Sequence, residues 1–225
     1  MALLLNIDTA TEIARISISE NENVIDSITN TNQKEHASFL QPAIKSLLQK
    51  ADLSIDKLNA VAVTSGPGSY TGLRVGMASA KGLCYALKIP LITINTLQVM
   101  ALSSINQVKD EWAFYCPMID ARRLEVFTAV YDNHLSEIIK PCSIILDNEV
   151  FKDILSTNKI YFSGSGSVKC KDIMNNEAAL FVISEATANA MAQLSYQSFI
   201  KKSFADISYA SPVYLKEFYT PILRV

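Results

Sequence analysis

Hydrophobic and polar positions follow one another along the chain in two successive rounds of the same order. In the first round, three strand patterns precede an amphipathic helix and then alternating strands and helices, at 2–7, 13–19, 24–29, 35–51, 58–65, 71–88, 90–95 and 96–104. The second round predicts strands at 112–119, 124–131 and 137–146, a short helix at 148–155, a strand at 159–163 and a helix at 187–203. Two such rounds predict an α/β fold of two duplicated halves with mixed sheets.

The boundary between the halves is predicted near residues 102–109, where charge and polarity rise. We therefore expect a first half at 1–104 and a second half at 105–225. The last predicted helix closes the second half, and it is in a position to pack back on the first half.

The helix predicted at 35–51 has a continuous apolar face. Its apolar residues recur at steps of three and four: Phe39, Leu40, Ala43, Ile44, Leu47, Leu48 and Ala51. Pro42 lies inside this pattern, where its missing N–H and its ring are expected to kink the helix or to set its first turn.

Glycine is concentrated at the start of the next predicted helix. Five of the seven glycines lie within seventeen residues: Gly66, Gly68, Gly72, Gly76 and Gly82. This is where backbone N–H groups can hold a phosphate, between a strand and a helix. A P-loop is excluded, because Leu73 and Arg74 stand where Lys and Ser or Thr would be needed, and the dinucleotide fingerprint fails because its third glycine falls one residue late.

Small residues recur every four positions along this helix, at Gly72, Gly76 and Ala80, beside an apolar stripe that includes Leu73 and Met77. A glycine inside a helix costs about 0.5–1 kcal/mol relative to alanine, so we expect another element to approach this strip closely. The sequence leaves two alternatives open for that element, one within the chain and one in another chain.

Charge and composition indicate a folded protein that does not hold nucleic acid by itself. The 225 residues are 49% hydrophobic and 19% charged, and 20 basic against 22 acidic side chains give a net charge of -2. Neutralising phosphates requires clustered Lys and Arg, which a chain of this balance does not supply in excess.

Membrane and secretory signals are not evident in the sequence. No apolar run reaches the roughly 18 residues of a membrane-spanning helix, and the apolar start lacks the basic residues of a signal peptide. The four cysteines, Cys84, Cys116, Cys142 and Cys170, show no C-x-x-C spacing. That pattern is typical of reduced thiols, and we expect a cytoplasmic protein without a metal cluster.

Polar residues at the ends of predicted strands are candidates for chemistry. Asp8 and Thr9 could hold a metal or a phosphate, with a capped strand end as the alternative. Asp120, before Ala121-Arg122-Arg123, could belong to a phosphate clamp or to an exposed turn with charge pairing. The short segment Gly164-Ser165-Gly166 also follows a strand, as nucleotide-facing turns do.

Neither histidine belongs to a recognisable catalytic set. His36 lies on the amphipathic helix, where a packing or surface role is the commoner one, and His134 lies in a polar turn beside Asn133. No Ser–His–acid arrangement is visible from the spacing.

Several of these segments carry a resemblance to a known family. They are Ile7-Asp8-Thr9, residues 65–76 with Ala80-Lys81-Gly82, Asp120-Ala121-Arg122 with Glu125-Val126-Phe127, Gly164-Ser165-Gly166, and Pro212-Val213-Tyr214-Leu215-Lys216. Together they resemble the TsaB (YeaZ) family of bacterial tRNA threonylcarbamoyladenosine biosynthesis proteins, from end to end of the chain. The resemblance implies the duplicated actin/hexokinase/heat-shock-70-like (ASKHA) fold.

The resemblance also implies an accessory subunit that is not itself an enzyme. Its partners would be TsaD, which transfers threonylcarbamoyl to adenosine 37 of tRNAs reading codons that begin with A, and the ATPase TsaE. The metal-binding His-x-x-x-His pair of TsaD falls here on Thr96 and Met100, and a glycine pair of TsaD falls on Ala121-Arg122. We therefore expect no catalytic residue, no metal and no cofactor held by this chain alone, although ATP could bind at a composite site with TsaE.

Two sets of residues follow from the resemblance. The helix interface with TsaD, or with a second copy of the chain when TsaD is absent, is predicted at His36, Phe39, Leu40, Ala43, Ile44, Leu47, Gly72, Leu73, Gly76, Met77 and Ala80. A vestigial nucleotide site is predicted at Asp8, Thr9, Asp120, Gly164, Ser165 and Gly166.

Contact with tRNA would occur only through the complex. The rival hypotheses are a stand-alone ATPase or peptidase-like enzyme, and a homodimeric structural protein without a role in tRNA modification.

Overall fold

The computed structural model describes residues 1–216, so the last part of the predicted second half, 217–225, lies outside the described residues. The first half contains five strands: β1 (Leu3–Asp8), β2 (Ala14–Glu20), β3 (Asn23–Asn30), β4 (Ala60–Gly66) and β5 (Leu91–Asn95). Its helices are α1 (His36–Lys50), α2 (Tyr70–Leu87) and α3 (Thr96–Val108). Short 3-10 turns precede α1 and β4.

The second half repeats this plan with shorter helices. Its strands are β6 (Phe114–Asp120), β7 (Glu125–Tyr131), β8 (Glu137–Ile145), β9 (Ile160–Ser163) and β10 (Ala179–Phe181). Its helices are α4 (Lys152–Leu155), α5 (Ser167–Ile173) and α6 (Ala188–Ile200).

The two sheets have the same strand order and the same strand directions. The first runs β3-β2-β1-β4-β5 and the second runs β8-β7-β6-β9-β10. In each sheet the first three strands in sequence are antiparallel neighbours, and the remaining two add in parallel. Burial follows this order: β4 is buried at every position, whereas the edge strand β3 alternates between exposed and half-buried residues. The duplicated fold with two mixed sheets, predicted from the sequence, is confirmed.

Helices cover the two sheets in layers. α1 and α2 cover one face of the first sheet, and Leu40, Leu47 and Met77 are buried there. α3 and α6 lie between the sheets, in a core shared by Leu4 of the first sheet and Tyr131 of the second. α4 and α5 pack with the outer face of the second sheet.

α3 and α6 connect the two halves. The predicted boundary at residues 104 and 105 falls inside α3, which continues to Val108. α6, near the end of the described chain, packs on the first sheet against β1, β2, β3 and β5. The side chain of Arg15 in β2 also donates to the carbonyl of Ala186, just before α6.

Three local features differ from the sequence-based expectations. The helix predicted at 148–155 is present only at Lys152–Leu155, and neither α5 nor the three-residue strand β10 was predicted. Pro42 lies past the first turn of α1, on its exposed side, and the helix continues to Lys50.

Within residues 1–216 no helix is both long enough and apolar enough to cross a bilayer.

Candidate functional site

The glycine-rich start of α2 packs against the turn that follows β1 in the same chain. The Thr9 hydroxyl donates to the Gly72 carbonyl at 2.7 Å. A Cβ atom on Gly72 would lie 2.0 Å from the Thr9 carbonyl oxygen, and one on Gly76 would lie 2.4 Å from the Thr9 hydroxyl oxygen. The sequence left open whether the element that approaches these glycines belongs to this chain or to another one. For Gly72 and Gly76 the structure shows an element of this chain.

The glycines of the preceding loop also have partners within the chain. A Cβ on Gly68 would lie 2.1 Å from the Ala10 carbonyl oxygen. Gly66 has a φ of 114°, in the region that favours glycine, and a Cβ there would lie 2.5 Å from the Val213 carbonyl oxygen. Gly82 is different, because nothing in the described part of the chain lies within 4 Å of the position of its Cβ.

The predicted helix-interface residues require a correction. All of them except the half-buried Phe39 are buried within the chain: His36, Leu40, Ala43, Ile44, Leu47, Gly72, Leu73, Gly76, Met77 and Ala80. Their apolar spacing is real, but it faces the first sheet and the neighbouring helix, so these side chains do not form an outer surface. The exposed face of α2 is formed instead by Arg74, Ala78, Gly82, Tyr85 and Ala86.

Asp8 and Thr9 are buried inside the chain. One carboxylate oxygen of Asp8 accepts from the Ala10 N–H at 3.1 Å and from the Thr64 hydroxyl at 2.9 Å. Burial raises the pKa of Asp8, and these two hydrogen bonds oppose that shift. These contacts correspond to a capped strand end, the alternative to a metal or phosphate site.

Asp120 lies in the cleft between the halves. Its Oδ1 accepts from Lys169 Nζ at 2.6 Å and from the Arg122 N–H at 2.6 Å, and its own N–H donates to the Ser165 hydroxyl at 3.1 Å. The hydrogen bond from Lys169 lowers the pKa of Asp120. The structure thus brings Asp120 and Ser165 together, and it adds Lys169, which sequence reasoning did not single out.

Gly164 and Gly166 pack against β6. Gly164 has a φ of 84°, and a Cβ there would meet the Met100 Cε at 2.3 Å and the Met118 carbonyl oxygen at 2.5 Å. The N–H of Gly166 donates to the same Met118 carbonyl at 3.0 Å. These glycines therefore allow close packing of the chain on itself, and the Gly166 N–H is already bonded.

Two neighbouring cavities open between the halves. The larger, of about 900 Å³, has Thr11, Glu12 and Ser69 on its first-half side and Asp120 and Lys169 on its second-half side. The smaller, of about 570 Å³, lies beside the residues that follow α6 and is lined by Tyr70, Arg74, Phe127 and residues 213–216.

The segment after α6 borders the smaller cavity and touches both halves. The Val213 N–H donates to the Ser65 carbonyl at 2.7 Å, and the ring of Tyr214 lies 5.0 Å from that of Tyr70. Lys216 forms an ion pair with Glu125 at the start of β7. No spacing in the sequence indicated this arrangement, since its partners are about 90 to 150 residues apart.

Two N–H groups beside the glycine loop are already occupied at the larger cavity. Ser69 donates to the Ala10 carbonyl at 2.6 Å, and Ala10 donates to Asp8. Within residues 1–216 there is no group of three or more His, Cys, Asp or Glu side chains that could hold a metal ion. Thr96 and Met100, at the positions of the TsaD histidines, are both buried in the core between the sheets.

Neither histidine is placed for nucleophilic catalysis. His36 is buried, its Nε2 lies 3.2 Å from the Glu12 carbonyl oxygen, and its Nδ1 has no hydrogen-bond partner in the described structure. Burial lowers the pKa of His36. His134 is exposed, as expected, in the turn between β7 and β8.

Comparisons with known proteins agree with the resemblance seen in the sequence. The family model for TsaD, tRNA N6-adenosine threonylcarbamoyltransferase, matches residues 23–209. The tRNA threonylcarbamoyladenosine biosynthesis protein TsaB of Escherichia coli is 26% identical over 220 residues, covering 95% of this chain and 94% of that protein. TsaB of Bacillus subtilis is 33% identical over 140 residues, which cover 61% of this chain and 59% of the relative, so this match spans about three fifths of the relative's length.

Solved structures share the fold. A YeaZ structure from Pseudomonas aeruginosa superposes with a TM-score of 0.81 at 22% identity, covering 96% of this chain and all of that one. A second Pseudomonas aeruginosa protein, described as similar to peptidase YeaZ, gives a TM-score of 0.85 at 22% identity with the same coverage. The predicted resemblance to TsaB and YeaZ proteins is confirmed.

Proposed function

Because the chain belongs to the TsaD family of tRNA N6-adenosine threonylcarbamoyltransferases and resembles TsaB proteins, we propose that it is a non-catalytic subunit that works beside TsaD. The complex, which TsaE joins, forms N6-threonylcarbamoyladenosine at position 37 of tRNAs reading codons that begin with A. The complex works in the cytoplasm, where the free thiols of this chain remain reduced.

The observation that carries the non-catalytic role is the identity of two residues in the core between the sheets. The resemblance implies that TsaD holds a metal at positions that correspond here to Thr96 and Met100. Both side chains are buried, and the Met100 Cε lies against Gly164. A neutral hydroxyl and a thioether are poor ligands for a hard or borderline metal ion. The residues present do not fit the metal, so the chain does not supply a catalytic step that depends on it.

The surface that binds TsaD is the exposed face of α2. Four of the five clustered glycines have a packing reason within the chain, and Gly82 has none within the described residues. A glycine inside a helix costs about 0.5–1 kcal/mol relative to alanine, which another helix could offset by approaching closely at Gly82 and Ala78. Tyr85, 80% exposed on the same face, adds apolar area. In the absence of TsaD, a second copy of the chain occupies this face.

Reconstitution tests the proposal. TsaD, TsaE, threonylcarbamoyl donor, ATP and unmodified tRNA are incubated with and without this chain, and the modified nucleoside is quantified. We expect modification only when the chain is present. Equal modification without it would contradict the proposal and favour a structural protein with no role in tRNA modification.

The same preparation tests the rival enzyme hypothesis. The chain alone is expected to hydrolyse neither ATP nor peptides. An activity of the isolated chain that disappears in the Asp8→Ala variant, while the variant remains folded, would favour a stand-alone ATPase or peptidase.

A further inference from the structure

The turn between β6 and β7 presents two arginines at the rim of the larger cavity. Arg122 and Arg123 are exposed, with φ angles of 72° and 51°. Among the residues other than glycine in 1–216, they are the only two consecutive ones with positive φ. Glycine or asparagine suits this left-handed backbone better than a long side chain. The turn thus keeps two guanidinium groups where its own geometry favours smaller residues.

The two arginines at this rim stand outside the ion pairs of the described residues. Five charged side chains line the cavity: Glu12, Asp120, Arg122, Arg123 and Lys169. Lys169 and Asp120 form an ion pair at 2.6 Å, and Glu12 is exposed on the opposite wall, which belongs to the first half. In the described part of the chain neither arginine forms an ion pair. The three positive side chains and one negative side chain of the second-half wall therefore give it a net charge of +2, and Arg122 also acts on the Asp120 carboxylate.

Two backbone donors that line the cavity are not free for a bound nucleotide. The N–H groups of Ala10 and Ser69 are bonded to other groups of the chain. The two arginines stand at the rim, where they can reach phosphates that stay outside the cavity. A guanidinium group matches the geometry of phosphate oxygens and can donate to two of them at once.

We propose that the Arg122–Arg123 turn contacts the phosphodiester backbone of tRNA when the chain is assembled with TsaD. This inference rests on the proposed function, which brings tRNA to the complex. A contact of two phosphates positions the tRNA without reading its sequence. It also agrees with the net charge of -2, since a small basic rim adds to the binding by a complex but does not hold RNA alone.

The test uses the R122Q/R123Q variant and a control with the same loss of charge. In the control, K140Q/K159Q, the substituted lysines are exposed on the second half, lie away from the cavity lining and form no ion pair in the described structure. Each protein is assembled with TsaD, and binding of labelled tRNA is measured by fluorescence anisotropy over a range of salt concentrations. We expect R122Q/R123Q to weaken binding about five- to tenfold at low salt and to reduce the salt slope by about 1–2, with little change in the control.

Two outcomes would overturn the inference. Equal affinity and equal salt slope for R122Q/R123Q and the control would overturn it. A loss of ATP binding by the chain–TsaD complex with unchanged tRNA binding would also overturn it, because the ligand would then be a free nucleotide. If R122Q/R123Q failed to fold, R122G/R123G would replace it, since glycine suits the backbone of this turn.

Failure of the proposed function would look different. In that case the unsubstituted chain and the control would fail to bind TsaD or to support tRNA modification, before any variant of the arginine turn is compared. Normal assembly and modification by both, with unaltered tRNA binding by R122Q/R123Q, would overturn only the arginine contact.

Discussion

At the scale of single residues, close approach within the chain explains why glycine is concentrated around α2. Thr9 lies against Gly72 and Gly76, Ala10 lies against Gly68, and each contact leaves too little space for a Cβ. The sequence pattern showed that something must approach this helix closely. It did not show that the neighbour is the turn after β1, about sixty residues earlier in the chain.

A pair of glycine substitutions on the same helix tests this explanation. Gly72→Ala should lower the free energy of unfolding by about 1–3 kcal/mol, because its Cβ would press on the Thr9 backbone. Gly82→Ala should raise it by about 0.5–1 kcal/mol, because the position is open and alanine favours a helix. Urea unfolding measures both values. Equal effects of the two substitutions would contradict the explanation.

His36 should make the stability of the protein depend on pH below about 6.5. Burial lowers its pKa from the ordinary value of 6.5, so within the window between the two values the unfolded chain binds more protons than the folded one. The stability that neutral His36 contributes is therefore fully present above pH 6.5 and is lost as the pH falls through this window. Urea midpoints for the parent and His36→Gln proteins should converge or cross as the pH decreases.

Asp8 contributes to the pH profile of both proteins, and its charge interacts with that of His36. Burial raises the pKa of Asp8, which by itself gives the opposite slope: stability decreases as the pH rises from the ordinary value of 3.8 through the raised one. Identical pH profiles for the parent and His36→Gln would show that His36 does not titrate differently on folding.

At the scale of elements, periodicity located α1 and α2 well, but it could not show whether their apolar faces meet this chain or another one. Leu40, Leu47 and Met77 repeat as a helix face should, and a buried face and a binding face have the same spacing. Only the position of the first sheet beneath α1 and α2 shows whether such a face is buried or free to bind a partner. The outer face is recognisable because Gly82 and Ala78 are small and yet exposed, a property that depends on the structure.

Charge placed on the outer face of α2 should prevent assembly with TsaD without unfolding the chain. Ala78→Glu adds an unpaired carboxylate at an exposed position, so we expect co-purification with TsaD to fall by at least about tenfold while the unfolding midpoint stays within the usual range for a surface change. Gln197→Glu, exposed on α6, is the matched control. Retained binding by Ala78→Glu would exclude this face as the interface.

At the scale of the whole molecule, the segment after α6 ties the two halves together. It bonds to Leu91 and Ser65 in the first half, and Lys216 reaches Glu125 in the second. The duplicated halves and most strands could be predicted, because strand and helix periods are local properties of the sequence. The returning segment could not, because it depends on contacts between residues far apart in the chain.

Gly66→Ala should release this segment. Alanine at a φ of 114° is strained, and its Cβ would meet the Val213 carbonyl oxygen at 2.5 Å. We expect the Val213 amide, which donates to the Ser65 carbonyl, to exchange its hydrogen at least about tenfold faster in the variant. Amide exchange followed by mass spectrometry gives the rate. The protection of amides in β6 and β7 serves as the internal control, and unchanged exchange at Val213 would contradict the prediction.

The position of α6 also bears on how the protein is made. Leu4, Ala62 and Ile92 of the first sheet share a core with Met191 and Leu194 of α6. A ribosome therefore synthesises all five strands of this sheet long before the helix that covers one of its faces exists. Until about residue 200 has left the exit tunnel, the part of that apolar face that α6 covers has no native cover, while α3 already contacts β4 and β5. The nascent chain should depend on chaperones during this interval. The core of the first sheet is therefore completed only after α6 has been synthesised.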